Sequence, residues 1–173
     1  MENIEGVSER TKVRIRWYGD MGEKVTNPVL EFKRKYGLLG VKDKYAINGF
    51  NLTEVNDAKF LHNIIEHKIN EDQWHQLFSL RPTLINRYRR QYYLSFDKKF
   101  RITLDRNLEY YLPALSQTRK FRDPIGTIME LKYSHENEEV ASLITQQFPF
   151  RLSKSSKYVR GIMMLYDLED INI

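Results

Sequence analysis

Four short segments of the chain place charged side chains at every second position: Arg10, Lys12, Arg14 and Arg16; Glu31, Lys33 and Lys35; Arg101 and Asp105; Glu130 and Lys132. Basic residues in this pattern suit phosphate. Arg offers a planar fork of donors and Lys a compact point charge, and a linear oligophosphate takes several of both along its length. Glu31 and Glu130 each precede a Lys by two residues. Carboxylates do not ligate phosphate directly, but they serve where a divalent cation bridges carboxylate and phosphate oxygens, as hard metals do at phosphoryl-transfer sites.

Positioning these side chains takes β-strands, in which alternate residues share a face. The opposite faces read Val13, Ile15, Trp17; Leu30, Phe32; Ile102, Leu104; Leu131, Tyr133, a core-facing surface. If the apolar faces pack outward against helices, the charged faces converge on a shared interior that holds a polyanion. The alternative is an open antiparallel sheet with solvated faces laced by cross-strand ion pairs.

Periodicity predicts strands over about 10–18 and 28–36, antiparallel across a loop, followed by a polar, glycine-punctuated stretch through Asn48-Gly49. Asp57 can cap a helix carrying Phe60, Leu61, Ile64 and Ile65, and a second short helix holds Trp74, Leu77, Phe78 and Leu80 before Pro82 ends it. The aromatic strand from Tyr88 to Leu94 turns at Asp97-Lys98-Lys99 into Phe100 to Asp105 as a hairpin. A strand over about 125–133, a helix within 136–148 and a last helix over about 155–165, opened by serines, complete the chain.

Composition fits one domain of this kind. The 173 residues are 41% hydrophobic and 29% charged, with 28 Lys+Arg against 23 Asp+Glu, a net charge of +5 that favours anionic partners. Without cysteine there is no disulfide and no thiolate metal site, which suits a reducing compartment. No stretch approaches the roughly 20 apolar residues of a membrane span, and residues 1–9 lack the apolar run of a signal peptide. Gly19 to Thr26 carries glycines and a Lys but not the spacing of a phosphate-binding loop. His62 and His67, five apart with no carboxylate motif, read as structural or surface residues. The 11 Tyr could stack bases beside a basic groove, but strand tyrosines are more often half-buried packing residues, so nucleic acid is not the favoured partner.

The runs Arg10-Thr-Lys-Val-Arg-Ile-Arg-Trp-Tyr-Gly19, Leu30-Glu-Phe-Lys33, Tyr88-Arg-Arg-Gln-Tyr-Tyr93, Arg101-Ile-Thr-Leu-Asp105, Glu130-Leu-Lys-Tyr133 and Ser156-Lys-Tyr-Val-Arg-Gly161 resemble, in order, the VTC domain. This is the polyphosphate polymerase domain of the vacuolar transporter chaperone complex, a triphosphate tunnel metalloenzyme. The resemblance implies an α+β fold, an antiparallel β-barrel or tunnel with helices outside, holding oligophosphate with Mn2+ or Mg2+. It assigns phosphate binding to Arg14 and Arg16, with Lys12 on the same face, and to Lys33, Tyr88, Arg90, Arg101, Ser156 and Lys157. Lys132 and Lys154 join the phosphate-binding set, and Glu130, with Glu31, the metal set. Periodicity alone leaves Arg89 and Arg90 open; the family's Tyr-x-Arg spacing selects Arg90.

The activity implied is transfer of the γ-phosphoryl of ATP to a polyphosphate chain, with Arg14, Arg16, Arg101 and Lys157 holding equatorial oxygens. A non-catalytic polyphosphate- or inositol-phosphate-binding module and a tripolyphosphate hydrolase are the alternatives. Family members carry a charged strand, a helix and another strand before the Arg-x-Arg motif. The chain is therefore expected to be an N-terminally truncated single domain, cytoplasmic, with an incomplete tunnel and little or no activity alone.

Overall fold

Alternation along residues 9–16 and 29–36 is strict enough to fix both strands and their register. The computed structural model describes residues 9–22, 24–36, 39–57, 59–65, 69–113 and 120–166, and His67 lies outside them. β1 (Glu9–Arg16) and β2 (Val29–Tyr36) pair antiparallel with Val13 opposite Phe32 and Ile15 opposite Leu30. β2 also pairs with β3 (Leu39–Ala46), a strand where a polar connecting stretch was expected. Val41-Lys42-Asp43-Lys44-Tyr45 alternates like its neighbours, but three consecutive charged residues and flanking glycines disguise it as a loop. The three-stranded sheet is ordered β1-β2-β3.

Its apolar face carries Leu30 and Phe32, both fully buried, in a core with Val25, Phe50, Phe60, Ile64 and Ile65. Phe50 makes edge contacts with Phe60 at 5.0 Å and with Trp17 at 6.1 Å. Helix α1 (Phe60–Ile65) supplies three of these core residues. Helix α2 (Glu71–Phe78) starts at Asn70, whose side chain accepts from the Gln73 amide at 2.9 Å. Gln73 in turn donates to Asp43 at 3.0 Å, where Asp43 is also paired with Arg34. Two charged residues thus sit on the otherwise apolar face, neutralised by each other.

Residues up to Thr83, with Leu112 and Pro113, form one compact unit; Leu84–Tyr111 and residues 120–166 form a second. The second is a sheet of β4 (Ile85–Leu94), β5 (Arg101–Tyr111), β6 (Lys120–Arg122) and β7 (Thr127–Lys132). The expected hairpin is β4–β5, with Asp97 accepting from the Ser95 hydroxyl and the Lys99 amide in its turn. β5 runs six residues past Asp105, through the left-handed Asn107 (φ 54°), and pairs with β7 along its first half and β6 along its second. Helix α3 (Glu138–Gln146) follows β7, and helix α4 (Lys157–Tyr166) closes the described chain.

The α+β content with antiparallel sheets is as expected; a closed barrel is not present among the described residues. One sheet has three strands and the other four, whereas an interior that side chains fill takes about eight. No helix among the described residues is long and apolar enough to cross a membrane.

What fixes α4 is a buried carboxylate. Asp123, 5% exposed, accepts from the Arg160 Nη2 and Nε at 2.6 and 2.8 Å, from the Tyr110 hydroxyl at 2.8 Å and from the Ile125 amide at 2.9 Å. Gly161 then lies flat against Tyr110 and Leu84: a Cβ there would come within 2.7 and 2.8 Å of their side chains. Tyr110 is buried and tied by its hydroxyl, so it has little room to yield. Gly161→Ala should therefore lower thermal stability, because overpacking costs about 1–3 kcal/mol against about 1 kcal/mol gained in helix propensity. A melting temperature equal to or above wild type would show that α4 is not pinned at this point.

Candidate functional site

Register turns the alternating charges of the first unit into rows. Arg14, Glu31 and Lys44 stand opposite one another across β1, β2 and β3, and Lys12, Lys33 and Lys42 form the adjacent row. Glu31, 1% exposed, lies at the centre of this face. Arg14 Nε reaches its Oε2 at 2.5 Å, and Arg16 Nε and Lys42 Nζ reach its Oε1 at 3.3 and 2.8 Å. Burial alone would push the Glu31 carboxyl up, but hydrogen bonds from Lys42 and Arg14 outweigh it and hold it at about 2. Lys33 is exposed and makes no ion pair among the described residues. The row of three lysines is a set of directly opposed like charges, an arrangement that costs stability in an ordinary sheet.

The second unit repeats the device. Asp105, 1% exposed on the central strand β5, faces Arg90 on β4. Arg90 grips it bidentately, Nε to Oδ1 at 2.5 Å and Nη2 to Oδ2 at 2.6 Å, and Lys157 from the first turn of α4 adds a contact to Oδ2 at 2.6 Å. The Tyr88 ring lies 5.0 Å from Lys157 Nζ and 5.1 Å from Arg90 Cζ, within cation–π range of both. Burial would raise the Asp105 carboxyl, yet the hydrogen bonds from Arg90 and Lys157 keep it below the usual carboxylate range. Farther along the same face, Thr103 stands opposite Glu130 and Arg101 opposite Lys132. Arg101 is exposed and, like Lys33, has no ion-pair partner among the described residues.

The expected residues are thus gathered in two groups, each within one unit. Arg14, Arg16, Lys12 and Lys33 share the β1–β2–β3 face; Tyr88, Arg90, Arg101, Glu130, Lys132 and Lys157 belong to the β4–β5–β7 unit. Arg90 is on the face of Asp105, whereas Arg89 opposes Arg106 and is exposed. Ser156 caps α4, its Oγ accepting from the Val159 amide at 3.4 Å, while Lys154 lies exposed in the segment before it. Lys42, Lys44 and Asp105 complete the set without having been singled out for a role. The signal for the lysines was their alternation; the signal for Asp105 was its shared face with Arg101.

A hard divalent cation asks for carboxylate oxygens with room for phosphate and water beside them. Glu130 offers that: its carboxylate is 46% exposed and pairs with Lys132 at 3.3 Å. Both Glu31 oxygens already face cations, so a further positive charge there meets Coulomb repulsion, and Glu31 fits the part of a counter-ion better than the metal ligand expected. No group of three or more His, Cys, Asp or Glu is gathered among the described residues, so a cation at Glu130 would draw its remaining ligands from phosphate and water.

Glu31→Gln tests the first cluster. A carboxyl held at about 2 against an ordinary 4.5 contributes stability that is complete above pH 4.5 and is lost as pH falls toward 2. The substitution should lower stability at pH 7 by about 1–3 kcal/mol and flatten its dependence between those two pH values, as read by urea unfolding. An acid limb as steep as that of wild type would contradict the cluster.

The VTC domain family model matches residues 1–166, and the chain belongs to that family. No curated protein and no solved structure gives a match.

Proposed function

We propose that this VTC domain binds condensed phosphate on its charged sheet faces and transfers the γ-phosphoryl of ATP to a polyphosphate chain. The observation that carries the reading is the pairing of like charges across strands: Lys12, Lys33 and Lys42 in one sheet, Arg101 and Lys132 in the other. Isolated, such rows repel; beside a polyanion they bind. Family membership supports a polyphosphate-related role, and the triphosphate tunnel expected from the resemblance is part of the same proposal.

In this reading the buried carboxylates orient and the outward donors bind. Glu31 and Asp105 take one or two donors from each of Arg14, Arg16 and Arg90, leaving other guanidinium N–H groups for phosphate oxygens. Arg101 and Lys33, without an ion-pair partner among the described residues, offer their full charge. Glu130 would hold Mn2+ or Mg2+, which when bound supplies neutralisation of charge developing on the transferred group. Chain-end phosphates are already ionised near neutral pH, so no side chain is required as a base, and none is assigned as a nucleophile. The half-exposed Glu130 favours transfer over binding alone, because its carboxylate has room for a divalent cation beside phosphate, which holding a polyanion does not require.

Calorimetric titration with tripolyphosphate should give saturable binding, weakened about tenfold or more in Arg90→Ala, since a hydrogen bond to a charged group is worth about 1.5–3 kcal/mol. An absence of binding, or equal affinity in the variant, would overturn the assignment. Transfer is tested on the full product of the gene with ATP and Mn2+: Glu130→Gln should abolish polymer synthesis while tripolyphosphate binding stays within a few-fold of wild type. Undiminished synthesis in that variant would remove Glu130 from the reaction.

A further inference from the structure

The β4–β5 turn carries two lysines that the proposed site does not use. Lys98 and Lys99 border an open cleft of about 970 Å³, which is also lined by Arg101 and Lys132 of the charged face, by Leu94 and by Glu136. Four cations meet a single carboxylate there.

The turn presents these lysines in a fixed way. Ser95 accepts the Lys98 amide and donates its own amide to the Phe100 carbonyl at 2.9 Å each, and Ser95 Oγ accepts the Phe100 amide at 3.0 Å. Asp97, the acid of the turn, spends one carboxylate oxygen on the Ser95 hydroxyl and the Lys99 amide. Lys98 adopts a left-handed backbone (φ 60°), a conformation that costs a lysine energy and that Asn or Gly would take more readily. A basic side chain stands at this strained position. Lys98 and Lys99 precede Arg101, the first residue of β5, by three and two residues, a reach of at most about 10 Å even for a fully extended chain. Phosphate groups that outrun the Arg101–Lys132 pair would meet the lysines next.

We propose that this cleft is an outer subsite for the distal phosphates of a long polyphosphate chain, so that the protein holds long chains more tightly than short ones. This rests on the reading of the charged face as a condensed-phosphate site. The apolar lining residues Leu94 and Leu131 offer phosphate nothing, so binding there is electrostatic, tolerant of chain position and sensitive to salt.

The test compares wild type with the double variant Lys98→Asn, Lys99→Gln. Asn keeps the left-handed turn, so an unchanged melting temperature is expected. Affinity is measured for tripolyphosphate and for a chain of about 60 phosphates, across a series of salt concentrations, with a single-stranded oligonucleotide as competitor. The proposal expects the variant to bind the long chain about fivefold more weakly, from two exposed charge pairs, with tripolyphosphate within twofold of wild type. The slope of log affinity against log salt for the long chain should fall by about 1.4, from two lost contacts. Unchanged long-chain affinity, or equal weakening for both ligands, would overturn the outer subsite while leaving the inner one standing. Displacement of the long chain by the oligonucleotide at lower concentration than by tripolyphosphate would also overturn it, by making the cleft a nucleic-acid contact. Wild type that binds neither phosphate would instead sink the functional reading beneath it.

Discussion

A carboxylate buried on the middle strand of each sheet, surrounded by cations from neighbouring elements, is the interaction on which the charged faces depend. Glu31 and Asp105 are each 1% exposed, and an isolated ionised carboxylate at that depth is prohibitively costly. Arg14, Arg16 and Lys42 offset that cost at Glu31; Arg90 and Lys157 do so at Asp105. The exchange is mutual. Long flexible side chains that would otherwise sample many rotamers are held through one or two nitrogens of the guanidinium or by the ammonium, and their remaining donors are aimed before any ligand arrives. Most of the ordering cost of an anion site is thereby met in folding.

Around these centres the sheets keep charges that stability alone would not select. Lys12, Lys33 and Lys42 in adjacent strands, and Arg101 against Lys132, are like charges in direct register. Local rules broken in this way mark functional positions in natural proteins. The cross-strand ion pairs of an ordinary solvated sheet account for Arg14 and Lys42 with Glu31, but not for Lys33 standing opposite both Lys12 and Lys42, nor for Arg101 opposite Lys132. Asp123 plays the complementary, purely structural part: by holding Arg160 and Tyr110 it seats α4, and Lys157, one turn earlier on the same helix, arrives at Asp105.

Much of this was legible in the sequence wherever period-two alternation was clean. β1, β2, the β4–β5 hairpin and β7 follow from it, as do Arg14, Arg16, Lys33, Arg101 and Lys132 on the charged faces. β3 was hidden because Lys42, Asp43 and Lys44 are consecutive charges, one of which turns to the apolar face and is neutralised by Arg34 and Gln73. β6 is three residues long, too short to show a period. The role of Asp105 was unreadable because Lys157, which shares it with Arg90, is 52 residues away in sequence. The choice of Arg90 over Arg89 needed family spacing for a physical reason: the register shifts between Arg87 and Arg89, which breaks the alternation that would otherwise decide it.

The account is tested most directly by NMR of the arginine Nε–Hε groups during titration with tripolyphosphate at neutral pH. Arg14 and Arg90, each donating through Nε to a buried carboxylate, should give sharp, slowly exchanging Hε signals before ligand is added. Those signals should then shift saturably as phosphate engages the outward nitrogens, without the Hε becoming exchange-broadened. Hε signals lost to water exchange in the free protein, or unmoved by saturating tripolyphosphate, would contradict the claim that buried carboxylates hold these arginines ready for an anion.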